Sequence, residues 1–161
     1  MNMYKVRWFI AGAVIISLTL YFAIPYFFNG TAISLSQLET EDLNSNKVSA
    51  TAFAGKPVVV IFWGTWCGQC QEEVPLYEKM KNKYEGRVQF ILLSDERITK
   101  IATFKEKEEI TITCLRSLKP FKELSINFVP VIYFFNSKGE FVSKYSGVMN
   151  ETNLIERINK L

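Results

Sequence analysis

Residues 58–70 carry the sequence VVVIFWGTWCGQC, in which an apolar run leads directly into two closely spaced cysteines. The run from Val58 to Trp63 contains only β-branched and aromatic side chains. Such an uninterrupted run is typical of a strand buried on both faces of a sheet. The residues from Gly68 to Tyr84 follow a helical pattern, in which Pro75 is expected to kink the helix without ending it. This stretch therefore predicts a central strand that leads into a Cys-x-x-Cys motif at the start of a helix.

The patterns in the rest of the chain predict an α/β domain with a mixed central sheet flanked by helices. The polar, lightly acidic residues 29–46 are expected to form a linker, which places the domain itself at residues 47–161. Asn150 is a suitable N-cap for the last helix. Further strands are predicted at Val88–Leu93, Ile110–Leu115, Val131–Phe135 and Glu140–Tyr145, and helices at Ile98–Glu109, Lys119–Leu124 and Asn150–Leu161.

The overall composition excludes several classes of function. A length of 161 residues suits one modest domain with an appendage. Without Lys5 and Arg7 the chain has 17 basic and 16 acidic residues, so no basic surface for nucleic acid is expected. Three cysteines and no histidine are too few for a zinc site or a disulfide scaffold. We therefore expect no metal and no cofactor, but one redox-active cysteine pair with a spare thiol.

The N-terminal segment has the features of a membrane anchor. Residues 8–28 contain no charged side chain, and about 20 apolar residues in a helix cross a bilayer core. Lys5 and Arg7 precede the segment, whereas the next basic residue after it is Lys47. The positive-inside rule then places residues 1–7 in the cytoplasm and the domain on the outer side of the membrane. The sequence thus predicts one N-terminal transmembrane helix and a periplasmic or extracytoplasmic catalytic domain.

A cleaved signal peptide is the alternative interpretation of this segment. Residues 30–32, Gly-Thr-Ala, form a weak cleavage site, although the apolar region is longer than the roughly 7–15 residues of a signal peptide. Under either interpretation the domain is exported.

The position of the two cysteines predicts their chemistry. Two residues separate Cys67 from Cys70, so a disulfide can close across the first helical turn. The unpaired N–H groups and the positive dipole end of the helix favour a thiolate at Cys67. Cys67 is therefore expected to attack and Cys70 to resolve the mixed disulfide. Two unreactive core cysteines, or half of a zinc knuckle, are the alternatives, and the preceding strand, the following helix and the exported location favour the redox pair.

Residues 62–75, FWGTWCGQCQEEVP, resemble the thioredoxin superfamily, and specifically its TlpA/ResA-like branch of membrane-anchored extracytoplasmic proteins. That branch carries the motif W-C-x-P-C-x-x-E-x-P, which is matched here except that Gln69 replaces the proline between the cysteines. The resemblance extends from about Leu43 to the C-terminus. It includes additional helix and strand material at about residues 98–115 that minimal thioredoxins lack.

The resemblance also implies where a substrate binds. The superfamily keeps a cis-proline opposite the disulfide, and Phe128-Val129-Pro130 precedes a predicted strand here. The Val129 backbone would then pair with a substrate segment held over Cys67. Trp66 would lie beside Cys67 as an exposed platform. An ordinary trans proline at a strand entrance and a core tryptophan are the alternatives.

Two departures from the family pattern affect the chemistry. Gln69 lies between the cysteines, where side chains tune thiolate stability and thus the redox potential. Ile61 occupies the strand position at which cytosolic thioredoxins keep a buried proton-accepting carboxylate. Glu73, three residues after Cys70 on the same helix, is the candidate replacement, and the resemblance implies a carboxylate there. A solvated helix glutamate is the alternative.

Cys114 lies in a predicted strand and is expected to be a buried, inert thiol, with a second resolving cysteine as the alternative.

The expected function is an extracytoplasmic thiol–disulfide oxidoreductase that reduces disulfides in exported proteins. The resemblance implies a function in cytochrome c maturation. It also implies that a membrane electron donor of the DsbD/CcdA type re-reduces the cysteine pair. A disulfide-donating oxidase or isomerase of the same fold, a Cu(I)-binding chaperone and a peroxide-reducing enzyme are the alternatives. The residues do not indicate an oligomeric state.

Overall fold

The computed structural model describes residues 12–14, 16–19, 21, 33–53 and 55–161. The chain divides into two compact units, Met1–Ala32 and Ile33–Leu161. In the first unit the described residues are helical. Among the described residues, no helix is both long and apolar enough to cross a membrane. The predicted cytoplasmic segment 1–7 and most of the predicted anchor 8–28 lie outside the described residues.

The described residues of the second unit form seven strands, three α-helices and three short 3₁₀ helices. The strands are β1 Thr40–Glu41, β2 Lys47–Val48, β3 Val58–Phe62, β4 Gln89–Ser94, β5 Thr113–Ser117, β6 Val131–Phe135 and β7 Phe141–Ser146. The α-helices are α1 Gly68–Lys83, α2 Ile98–Lys107 and α3 Glu151–Ile158, and the 3₁₀ helices are Leu35–Gln37, Ala50–Phe53 and Phe121–Leu124.

The seven strands form one mixed sheet in the order β2-β1-β5-β4-β3-β6-β7. Strand β3 pairs in parallel with β4, and β4 pairs in parallel with β5. Strand β3 also pairs antiparallel with β6, and β6 with β7. The predicted α/β fold with a mixed central sheet is therefore confirmed, and β3 lies near its centre.

Strand β3 is buried on both faces, as its apolar run predicts. Val59 and Ile61 face a core shared with all three α-helices, whereas Val58, Val60 and Phe62 face a second core that includes residues of two 3₁₀ helices. The cysteine pair belongs to the first core. The side of the sheet that carries the α-helices therefore carries the redox site.

The helix boundaries follow local signals in the sequence. Helix α1 continues through Pro75, as predicted, and ends at Lys83, one residue before the predicted Tyr84. The Asn150 side chain accepts a hydrogen bond from the Asn153 N–H at 2.9 Å, which confirms it as the N-cap of α3. Helix α2 ends at Lys107, earlier than the predicted Glu109, because Glu109 adopts a left-handed backbone conformation with φ 51°.

Two predicted segments need correction. Residues 33–46 are not a linker, because they belong to the folded unit and β1 pairs antiparallel with β5. The strand predicted at Ile110–Leu115 begins instead at Thr113. The Glu78 carboxylate accepts hydrogen bonds from the backbone N–H groups of Thr111 and Ile112, so these groups are not available to a β-ladder.

Candidate active site

Cys67 and Cys70 form a disulfide at the N-terminus of α1, with their Cα atoms 5.2 Å apart. Cys67 is itself the N-cap residue, and its Sγ accepts a hydrogen bond from the Cys70 N–H at 3.2 Å. The exposed fractions of Cys67 and Cys70 are 8% and 2%. Cys67 is thus the more accessible sulfur, and it lies where the sequence predicted the attacking thiol.

The helix terminus favours a thiolate at Cys67 once the disulfide is reduced. A backbone N–H already points at its sulfur, and the positive end of the helix dipole lies at the same place. Both interactions stabilise a negative charge, which lowers the pKa of a thiol at such a position. The local geometry is therefore suited to nucleophilic attack by Cys67.

The loop before Cys67 is held by side chains from two other parts of the chain. The Glu96 carboxylate accepts hydrogen bonds from the Thr65 N–H at 2.6 Å and the Thr65 hydroxyl at 3.0 Å. The Gln71 side-chain amide donates to the Thr65 carbonyl at 2.6 Å. Lys100 lies 3.7 Å from Glu96, whose side chain is only 10% exposed. No pattern in the sequence indicates this role of Glu96 and Thr65.

Trp66 is an exposed side chain next to Cys67, with 69% of its surface accessible. Its indole lies over Gly64, where an added Cβ would come within 2.6 Å of the indole Nε1. The alternative of a core tryptophan is therefore wrong. Gly64 leaves room for this placement of the indole.

The cis-proline loop faces the disulfide. The Val129–Pro130 peptide bond is cis, as the resemblance implied. The Cys67 Sγ lies 3.9 Å from the Val129 carbonyl oxygen. Pro130 is buried, Val129 is half-buried and Phe128 is exposed. The structure thus brings together Trp66, Cys67 and Val129, three of the residues predicted to meet a substrate.

Glu73 is a buried carboxylate on the same helix as the cysteines, with an exposed fraction of 4%. Its Oε1 accepts a hydrogen bond from the backbone N–H of Met149. Burial raises the pKa of Glu73, although the Met149 N–H and the Tyr77 side chain act in the opposite direction. The alternative of a solvated helix glutamate is therefore wrong. The role of Glu73 in proton transfer remains a prediction.

The loop that contains Met149 also contacts the cis-proline loop. The Gly147 N–H donates a hydrogen bond to the Pro130 carbonyl at 2.9 Å, and the Met149 N–H donates to Glu73. These contacts were not predictable from the sequence, because every residue except proline carries a backbone N–H group. The loop at residues 147–149 therefore connects the buried carboxylate to the predicted substrate loop.

Cys114 lies in β5, where its thiol is buried and forms no disulfide. Burial raises the pKa of its thiol to about 11, so it remains a neutral thiol at physiological pH. This agrees with the expectation of an inert thiol. Among the residues that the structure describes, no group of three or more Cys, Asp or Glu is placed to hold a metal ion.

Comparisons with known proteins agree with this geometry. The AhpC/TSA family model matches residues 31–158. Over 124 residues the chain is 25% identical to the thiol-disulfide oxidoreductase ResA of Bacillus thuringiensis subsp. konkukian, covering 74% of this chain and 72% of ResA. It is 25% identical over 122 residues to the thioredoxin-like protein YneN of Bacillus subtilis, covering 73% of this chain and 72% of YneN.

The fold is also found among solved structures. The structure of a thiol-disulfide isomerase from Corynebacterium glutamicum superposes with a TM-score of 0.71 at 20% identity, covering 81% of this chain and 96% of that one. At this identity the likeness shows the thioredoxin-like fold alone. Together with the family match and the Cys67–Cys70 disulfide, it confirms the resemblance and the thiol–disulfide chemistry predicted from the sequence. The chain therefore belongs to the AhpC/TSA family, in its thioredoxin-like group of thiol–disulfide oxidoreductases.

Proposed function

We propose that this chain reduces disulfide bonds in exported proteins, with Cys67 as the nucleophile and Cys70 as the resolving cysteine. One observation carries the proposal. The Cys67 sulfur caps the first turn of α1 and lies 3.9 Å from the Val129 carbonyl of the cis-proline loop. A thiolate-stabilising position thus faces a backbone segment that is able to pair with an extended substrate.

The reaction begins with the reduced pair. The Cys67 thiolate attacks one sulfur of the substrate disulfide, which forms a mixed disulfide and releases the other substrate sulfur as a thiolate. That thiolate takes a proton from solvent. Cys70 then loses its proton and attacks the Cys67 sulfur, which releases the second substrate thiol. The substrate gains two electrons, and the protein is left with the Cys67–Cys70 disulfide seen in the structure.

The proton from Cys70 requires an acceptor. Glu73 lies one helical turn after Cys70, it is buried, and its pKa is raised by that burial. A carboxylate whose pKa is raised is a stronger base than an ordinary glutamate. We infer that Glu73 accepts the Cys70 proton, a role that Ile61 is unable to perform at the usual family position.

The location of the protein is part of the proposal. The uncharged segment 8–28 after Lys5 and Arg7 supports a single-pass anchor, with the N-terminus in the cytoplasm and the domain outside. A reductase on the outer side needs electrons from the cytoplasm. We therefore propose a membrane electron donor of the DsbD/CcdA type as the partner that reduces the Cys67–Cys70 disulfide.

The client is proposed from the relatives. The chain matches proteins named ResA over nearly three quarters of its length, and the resemblance to that branch supports a place in cytochrome c maturation. A disulfide-donating oxidase or isomerase of the same fold remains the alternative. The two functions differ in the direction in which electrons flow through the Cys67–Cys70 pair.

The reduction potential separates these functions. The full chain is equilibrated against glutathione or dithiothreitol buffers, and the dithiol fraction is measured after acid quenching and alkylation. A potential near or below the thioredoxin value of about −270 mV supports a reductase. A potential near the roughly −120 mV of strong oxidants would make the chain a disulfide donor, and the assignment to cytochrome maturation would then be wrong.

A further inference from the structure

Tyr77 carries a buried hydroxyl group close to the active site that the reaction described above does not use. It lies on α1 one turn after Glu73 and is only 1% exposed. It belongs to the same core as the Cys67–Cys70 pair. Residues four apart on a helix lie on the same face, so the side chain of Tyr77 lies next to that of Glu73.

The Tyr77 hydroxyl is close enough to Glu73 to act on the pKa of its carboxyl, yet it and Glu73 Oε2 are not joined by a hydrogen bond of ordinary length and angle. Within the described part of the chain, neither Glu73 Oε2 nor the Tyr77 hydroxyl forms a hydrogen bond of ordinary geometry in the disulfide-bonded state. The other carboxylate oxygen, Oε1, is occupied by the Met149 N–H. Buried polar atoms in native proteins are nearly always paired, so this neighbouring donor and acceptor are expected to form a hydrogen bond with each other when the carboxylate is charged.

We propose that Tyr77 is a positioning residue for Glu73, whose hydroxyl donates a hydrogen bond to Oε2 when the carboxylate is charged and ready to accept the Cys70 proton. The proposal rests on the proposed role of Glu73. It assigns the two carboxylate oxygens different functions. Oε1 is held by the Met149 N–H, and Oε2 is held by Tyr77 until it receives the proton.

The direction of the effect follows from the groups around the carboxylate. Burial raises the pKa of Glu73, and the Met149 N–H and the Tyr77 side chain lower it. Besides Glu73, the titratable group that acts on Tyr77 is Tyr145 of β7, and Cys70 belongs to the same core as Tyr77. Removal of the Tyr77 hydroxyl would leave only the Met149 N–H to oppose burial, so the pKa of Glu73 rises further.

The resolving step is observed directly with a small aromatic disulfide. The reduced full chain, with Cys114→Ala in every sample, is mixed with dithionitrobenzoate, and the coloured thiolate is followed by stopped flow. Cys67 releases the first thiolate and Cys70 the second, so the second phase reports the step that needs Glu73. Its rate is measured between about pH 5 and 9. Tyr77→Phe is expected to move the acid limb of this profile to higher pH by about one unit.

Three further variants test whether the shift of the acid limb is caused by the Tyr77 hydroxyl acting on Glu73. Tyr133→Phe removes a hydroxyl from the core on the other face of the sheet and is expected to leave the profile unchanged. In a Glu73→Gln background, Tyr77→Phe is expected to change nothing further. Fluorotyrosine at position 77 keeps the shape of the side chain and is a stronger donor, so it is expected to move the acid limb to lower pH. This substitution tests the proposal even where Tyr77→Phe fails to fold.

The outcomes separate this proposal from the proposed function. A Tyr77→Phe profile identical to the parent's, with an altered Glu73→Gln profile, would overturn the role of Tyr77 alone. A Glu73→Gln profile identical to the parent's would overturn the role of Glu73 and with it that of Tyr77. Cys67→Ser tests the oxidoreductase itself, because it is expected to abolish the first phase.

Discussion

The Glu96 carboxylate holds Thr65 through two hydrogen bonds, one from the backbone N–H at 2.6 Å and one from the hydroxyl at 3.0 Å. Thr65 lies two residues before Cys67, and its carbonyl is held at the same time by the Gln71 side chain. The loop that carries Trp66 and Cys67 is therefore fixed from both sides. Glu96 acts on the reacting sulfur through this loop, as a positioning residue.

Glu96→Ala is expected to slow the attack of Cys67 by about tenfold, because the loop loses its anchor and the sulfur is less well oriented. The first phase of thiolate release from dithionitrobenzoate measures this step. Glu96→Gln keeps an oxygen that accepts from the Thr65 N–H, so it should restore most of the rate. Equal rates in the parent and the Glu96→Ala variant would contradict the positioning role.

Gly64→Ala is expected to displace the Trp66 indole, since the new Cβ would lie 2.6 Å from Nε1 and 2.8 Å from Cε2. An exposed indole moves at little cost, so stability should change by less than about 1 kcal/mol while KM for a protein disulfide rises. Tryptophan fluorescence and steady-state kinetics measure the two effects. In a Trp66→Ala background Gly64→Ala should have no further effect on KM; a further rise would show that the indole is not the cause.

Local patterns in the sequence were sufficient for the elements that carry the cysteines. The apolar run of β3 and the spacing of Cys67 and Cys70 have short-range signals, and the structure confirms both. The position of the cis-proline came from the family resemblance and is also confirmed. Strands β1 and β2 have two residues each, which is too short for any alternation to be detected.

The contacts that complete the site were not predictable in the same way. Glu96 is 31 residues from Thr65, and Glu73 is 76 residues from Met149. Each contact joins a carboxylate to a backbone N–H, a group that every residue except proline carries. No residue type or spacing in the sequence identifies the N–H group that such a carboxylate binds. The contact is apparent only in the folded structure, where the loops lie beside α1.

Glu73→Gln is expected to stabilise the folded protein at neutral and alkaline pH. Because burial raises the pKa of Glu73, the native state holds its proton more tightly than the unfolded state does. The parent therefore loses stability as the pH rises from the unfolded value of about 4.5 through the folded pKa, and the glutamine variant does not.

Urea unfolding at about pH 4 and pH 8 measures this difference, with about 1.4 kcal/mol expected for each unit by which the pKa is raised. Glu72→Gln, on the same helix but exposed, is the matched control. A Glu73→Gln variant that is less stable than the parent at pH 8 would contradict the expected sign.

Cys114 is expected to react only when the protein unfolds. Its thiol is buried and has a pKa of about 11, whereas the reduced Cys67 lies at a helix terminus. The reduced native chain should therefore show Cys67 alkylated rapidly near neutral pH and Cys114 alkylated only in denaturant. A disulfide or a fast-reacting thiol at Cys114 in a mapped peptide digest would instead support a resolving role.

The most direct test is to trap the mixed disulfide. The full chain with Cys70→Ser is incubated with a disulfide-containing protein such as insulin, then digested without reduction and mapped by mass spectrometry. The substrate cysteine should be found covalently bound to Cys67, while Cys67→Ser under the same conditions should trap no adduct. An adduct of similar yield on Cys70 in the Cys67→Ser variant, or none on Cys67 in the Cys70→Ser variant, would contradict the assignment of Cys67 as the nucleophile.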